Sequence, residues 1–124
     1  MVNNQFQAYQ NNSIMTASGD KLTLMLYNGA IRFCNQAKAA LESKQVQEAH
    51  TSLIKAQNII EQLQVTLDDK YPITAEFDKM YEFINYQLSE ANLTKNVENI
   101  DVALDFIREI RDTWEEAMKL SKRT

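Results

Sequence analysis

The residues able to do chemistry are few. The chain has one histidine, His50, and one cysteine, Cys34, far apart in sequence. An imidazole on a helix can relay a phosphoryl group when a lysine lies one turn away to support the charge. In the run from Ala49 to Ala56, however, Leu53 and Ile54 fill the third and fourth positions after His50, and Lys55 comes only at the fifth. Cys34 needs a basic neighbour to become a nucleophile, and it falls instead on an apolar face beside Ile31, which suits a small inert hydrophobe. Zinc sites need clustered Cys and His, and a di-iron bundle needs two Glu-x-x-His motifs; the residue three before His50 is Gln47. With glycine only at Gly19 and Gly29 there is no phosphate cradle of either glycine-rich type. Asp68-Asp69 could hold a cation weakly, but a solvated turn accounts for the pair. No catalytic residue, cofactor or metal is expected.

Composition narrows the class further. A chain of 124 residues makes one domain, and 44% apolar residues give it enough for one core. Two Gly and one Pro are too few for a turn-rich sandwich or barrel. The balance of 13 basic against 17 acidic residues gives a net charge of −4, a poor match to nucleic acid or an anionic lipid surface. The lone Cys34 fits a reducing, cytosolic setting. No run of 18 apolar residues exists to insert into a membrane, and MVNNQFQAYQNNS has neither the basic nor the apolar region of a signal peptide.

Four helical patterns must position whatever site exists. Residues 1–19 hold seven Asn and Gln and no sustained period, and read as an N-terminal arm, flexible or loosely docked through Phe6, Tyr9 and Ile14. Ser18 can cap the first helix, with Asp20 at its positive end. That helix runs from Asp20 to Glu42, with Leu22, Met25, Leu26, Gly29, Ala30, Phe33, Ala37, Ala40 and Leu41 on one face. The second, Val46 to Asp68, carries Val46, Ala49, Leu53, Ala56, Ile60, Leu63 and Leu67 at alternating steps of three and four. Pro72 ends it through a turn at Asp69-Lys70-Tyr71. The third spans Ile73 to Asn92, with Phe83 and Tyr86 outside its stripe. The fourth is capped by Asn96 and runs to Leu120, with SKRT (residues 121–124) as a frayed tail. Short connections imply antiparallel neighbours, so the expected fold is an all-α, up-down-up-down four-helix bundle over residues 20–120.

The informative feature is surplus apolar surface. Leu24, Tyr27, Ile31 and Cys34 form a second set on the first helix, which widens its apolar arc to roughly 240°, more than one core stripe needs. Ile54, Ile59 and Val65 lie off the stripe of the second. Loops, the arm or tighter packing could cover these residues. Left open, they would form a groove for a partner's amphipathic helix, with the arm occupying part of it until displaced. On that reading Ile31→Asp abolishes partner binding while the bundle stays helical. Gly29, costing about 1 kcal/mol inside a helix, marks a close helix crossing.

The run Ala8–Ala37, AYQNNSIMTASGDKLTLMLYNGAIRFCNQA, resembles the opening of the flagellin export chaperones, the FliS family: an arm containing Ala-Tyr, then Thr-Ala-Ser/Thr-Pro, then a Leu-x-x-Met-Leu-Tyr-x-Gly helix. The likeness continues through LIKAQNIIEQLQVTL (Leu53–Leu67), MYEFINYQLSEAN (Met80–Asn92) and FIREIRDTWEEAM (Phe106–Met118), in order along nearly the whole chain. Gly19 stands where the family usually has Pro, which leaves the junction of arm and helix less preset.

This resemblance implies a cytosolic, non-enzymatic antiparallel bundle. Such a protein binds the disordered C-terminal segment of flagellin in apolar helix grooves, keeps it from polymerising early and delivers it to a component of the flagellar type III export gate. Tyr9 matches the family's arm tyrosine. The remaining groove candidates, Leu24, Tyr27, Ile31, Cys34, Ile54, Ile59 and Val65, come from helical geometry alone. Two other readings stand beside it: a histidine phosphotransfer domain using His50, and a bundle that hides its surplus face in a homodimer.

Overall fold

Spacings of three and four residues become four helices because each places an apolar row on one side of a rod whose other side is polar. The computed structural model describes residues 19–66 and 73–123. Within them lie α1 (Gly19–Glu42), α2 (Val46–Val65), α3 (Ile73–Thr94) and α4 (Val97–Arg123). Ser18, Tyr9, Asp68, Asp69 and the proline turn fall outside the described residues. The second helix ends at Val65, before the expected Asp68, where the Thr66 hydroxyl donates to the Leu63 carbonyl at 2.9 Å. The fourth helix extends to Arg123, through most of the SKRT segment. Asn96 caps it as expected, its Oδ1 accepting from the Glu98 amide at 3.0 Å.

Cross-helix pairs give the topology. Arg111 Nη1 donates to Asn28 Oδ1 at 3.2 Å, and Lys38 pairs with Asp101 at 2.8 Å, so α1 and α4 run in opposite directions in register. Asn92 Nδ2 donates to His50 Nδ1 at 2.8 Å and Gln64 Nε2 to Asp78 Oδ1 at 3.1 Å, which sets α2 antiparallel to α3. Asn99 Nδ2 donates to Gln87 Oε1 at 2.8 Å across α3 and α4. Each helix thus packs on its neighbours in sequence, and α1 closes the ring against α4.

The core is built of Leu53, Ile60, Ile84, Leu88, Ile100, Ile107 and Ile110, flanked by small Ala30, Ala37, Ala56, Ala91 and Ala103 that let the rods approach. The tightest approach is the one anticipated at Gly29: a Cβ there would lie 3.3 Å from Ile59 Cδ1 on α2. Across the diagonal, the Tyr27 and Tyr81 hydroxyls hydrogen-bond to each other, with ring centroids 6.5 Å apart. Trp114 packs on the margin of this core.

The wide arc of α1 has a structural cause. Its first row turns toward α2, as the Gly29–Ile59 approach records. The second row turns toward α4 at Ile31 and Cys34, on the side where Asn28 meets Arg111 and Lys38 meets Asp101 and where the Arg108 charge acts on the Cys34 thiol. One helix between two neighbours needs two apolar rows.

Two tight turns close one end of the bundle. After α1 the Gln45 amide reaches the Ala40 carbonyl at 2.8 Å and the Lys44 amide reaches Leu41 at 3.1 Å, a Schellman motif with Lys44 at φ 60°. After α3 the Lys95 amide reaches Ala91 at 2.8 Å, with Lys95 also at φ 60°. Left-handed backbone costs a residue with a Cβ about 1–2 kcal/mol, and glycine escapes this. Lys44→Gly is therefore expected to raise unfolding stability by about 1 kcal/mol in urea titrations. Tyr27→Phe or Tyr81→Phe alone should cost about 1–3 kcal/mol by stranding the other hydroxyl, and the double variant should cost less than the sum.

Candidate functional site

The residues expected to line a groove do not share one surface. Tyr27 (1% exposed), Cys34 (0%) and Ile59 (2%) lie in the core, and Ile31 is buried at 9%. This corrects the expectation of an open second face on α1: α4 covers Ile31 and Cys34, and Tyr27 reaches across to Tyr81. The Ile31→Asp test changes its meaning accordingly. A carboxylate there would be buried without a partner and would disrupt the bundle itself. Leu24 is half-buried, Ile54 is 39% exposed and Val65 is 85% exposed. Tyr9 lies outside the described residues.

What remains open is apolar surface on two other faces. On the first, Leu22 and Leu26 of α1 and Val65 of α2 line a shallow groove of about 630 Å³ with Asn58, Glu61 and Gln62. Ile54 lies further along the same outward side of α2, about three helical turns before Val65. The second face belongs to α3 and α4. Phe83 (39% exposed) stacks edge-on against half-buried Phe106 with ring centroids 4.8 Å apart, and Tyr86 and Val102 stand exposed on the same helices. Phe83 and Tyr86 had a sequence signal, since both fall outside the apolar stripe of the third helix. Leu93 at the end of α3 is 79% exposed. Nothing in its spacing marks it.

The chemical candidates are occupied structurally. His50 is exposed, its Nδ1 accepting from Asn92, while Asn92 Oδ1 accepts from Lys95 Nζ at 2.8 Å. Leu53, one turn on, is buried, and Lys55 instead sits over the Phe33 ring at 5.5 Å. Among the described residues no lysine is bonded to the imidazole as a phosphoryl relay needs. Burial pushes the Cys34 thiol up to about 12, with Arg108 acting weakly the other way, so the thiolate is not formed in the fold. Among the described residues no three His, Cys, Asp or Glu are grouped to hold a metal. No helix there is long and apolar enough to cross a membrane.

Burial also raises the Tyr27 and Tyr81 phenols above their ordinary value. A phenol harder to ionise in the fold than in the unfolded chain adds stability that is fully present below about pH 10 and is lost as pH rises through the raised folded values. Unfolding stability is expected to fall between pH 9 and 11, and the fall should shrink in Tyr27→Phe/Tyr81→Phe, read by urea titration at each pH.

Comparisons with known proteins converge on one group. Residues 2–121 match the family described as FliS, flagellar protein FliS. The chain is 34% identical to the flagellar secretion chaperone FliS of Bacillus subtilis (strain 168), over 98% of this chain and 92% of that one. It is 31% identical to the FliS chaperone of Vibrio cholerae, over 89% and 85% of the two chains. For that of Escherichia coli (strain K12) the identity is again 31%, over 86% and 80%. A crystal structure of a bacterial flagellar chaperone superposes with a TM-score of 0.77 at 22% identity, covering 96% of this chain and 98% of that one, which speaks for the shared fold. The relatives are named as chaperones, a role without a chemical step.

Proposed function

From the premise that this chain belongs to the FliS family of flagellar secretion chaperones, we propose that it binds the C-terminal segment of flagellin in the cytosol. Holding that segment keeps flagellin from polymerising before export, and the chaperone hands it to the flagellar type III export apparatus. The observation that carries the reading is exposed apolar side chains in two places, Ile54 and Val65 on α2 and Phe83, Tyr86 and Val102 on α3 and α4, on a chain with no grouped catalytic or metal-binding residues among those described.

The physics of such binding follows from the client. A disordered segment loses conformational entropy when it orders, so apolar burial must exceed that loss. About 1,500 Å² of apolar burial supplies roughly 37 kcal/mol gross, most of it offset by ordering. An interface of this kind is extended, apolar and only weakly dependent on salt. Exposed apolar residues on separate faces suit a client that wraps the bundle and touches it at several places.

Flagellin is expected to co-purify with this chain, and flagellin lacking its C-terminal segment is not; equal capture of both would overturn the reading. Phe83→Ser with Tyr86→Ser should weaken binding at least roughly tenfold, at about 1–2 kcal/mol per truncated anchor, with helical circular dichroism retained.

A further inference from the structure

One seam of the bundle is built differently from the others. On α2, His50, Gln57 and Gln64 recur every seven residues; on α3, Asp78, Asn85 and Asn92 do the same. The outer pairs are joined, His50 to Asn92 and Gln64 to Asp78. The antiparallel register that these pairs set brings Gln57 and Asn85 to the same middle level. There the Asn85 Oδ1 is buried and lacks a hydrogen-bond partner. Directly behind this polar ladder run buried apolar residues: Leu53 and Ile60 on α2, each one turn from a rung on either side, and Tyr81 and Leu88 on α3 in the same relation.

Among the described residues no other seam holds a buried side-chain oxygen or nitrogen without a partner. Between α1 and α2 the rods touch closely at Gly29 and Ile59, and a tight Schellman turn joins them. Between α3 and α4 the rods are joined by the Phe83–Phe106 contact, the Asn99–Gln87 bond and, at their end, the Lys95 turn. Between α1 and α4 the Lys38–Asp101 and Arg111–Asn28 pairs are complete.

We propose that the bundle opens preferentially along the α2–α3 seam, the α1–α2 and α3–α4 hairpins swinging apart about α1–α4, and that the unsatisfied Asn85 carbonyl sets how often this happens. The closed seam carries the desolvation cost of that oxygen, and opening returns water to it. Opening breaks the Tyr27–Tyr81 bond between the hairpins and exposes Leu53, Ile60, Tyr81 and Leu88 together while the individual helices persist.

The test is native-state thiol labelling with an Ellman-type reagent in a Cys34→Ala background. Leu53→Cys reports the α2–α3 seam. Leu104→Cys, one turn from Asp101 and Arg108, reports α1–α4 with the same change of side chain. After each rate is corrected for that variant's global stability from urea titration, Leu53→Cys is expected to label at least tenfold faster. Adding Asn85→Leu should slow labelling at position 53 by roughly five- to a hundredfold, and by more than at position 104. Equal corrected rates at the two positions overturn the proposal, as does equal slowing of both by Asn85→Leu. The first comparison uses no Asn85 variant and so decides the matter even if that variant does not fold.

Discussion

Everything in this bundle depends on α1 serving two neighbours at once. A helix packed on one side needs a single apolar row, whereas α1 carries two and spends both. Gly29 gives up a side chain so that Ile59 can approach to van der Waals distance. On the opposite flank Ile31 and Cys34 lie under α4, with Asn28 and Lys38 fixing register at the rim. From the second row Tyr27 crosses to Tyr81 and ties α1 to the helix it does not flank. Loss of either row would open the ring at α1 and leave α2 and α4 joined only through α3.

That arrangement explains which parts of the molecule were legible in its sequence. Periodicity alone placed the helices, because core rows such as Leu53, Ala56, Ile60 and Leu63 need only a period and a burial preference. Asn96 was legible because a cap acts on residues two or three further along. The destination of the second row on α1 was not. An apolar arc states how much surface must be covered and not what covers it, so Tyr27, Ile31, Cys34 and Ile59 looked like groove and proved to be seam. Phe83 and Tyr86 were visible as off-stripe aromatics, yet their exposure depends on how far α4 reaches across α3, which no local pattern encodes. The left-handed Lys44 and Lys95 escaped notice because the sequence offers no glycine to announce the turns.

Absence of chemistry shapes the surface as much as it shapes the core. The polar groups able to react are engaged in holding helices together: His50 by Asn92, Lys38 by Asp101, Arg111 by Asn28. On the function proposed above, recognition would fall to apolar side chains, whose attraction has no direction and tolerates variation in a client's sequence. A family whose relatives are named as chaperones has use for that tolerance, since extended apolar contacts hold a chain without prescribing a unique geometry for it.

Cys34 carries one further consequence. With no exposed area and its thiolate suppressed, the sulfur is invisible to peroxide for as long as the fold persists. A molecule caught open by an oxidant would gain an oxygen that this site has no room to take back, since a filled interior resists even one extra heavy atom. Damage would then be sorted by history: a chain that stayed shut keeps its thiol, and a chain oxidised while open packs again only after its sulfenic acid has been reduced.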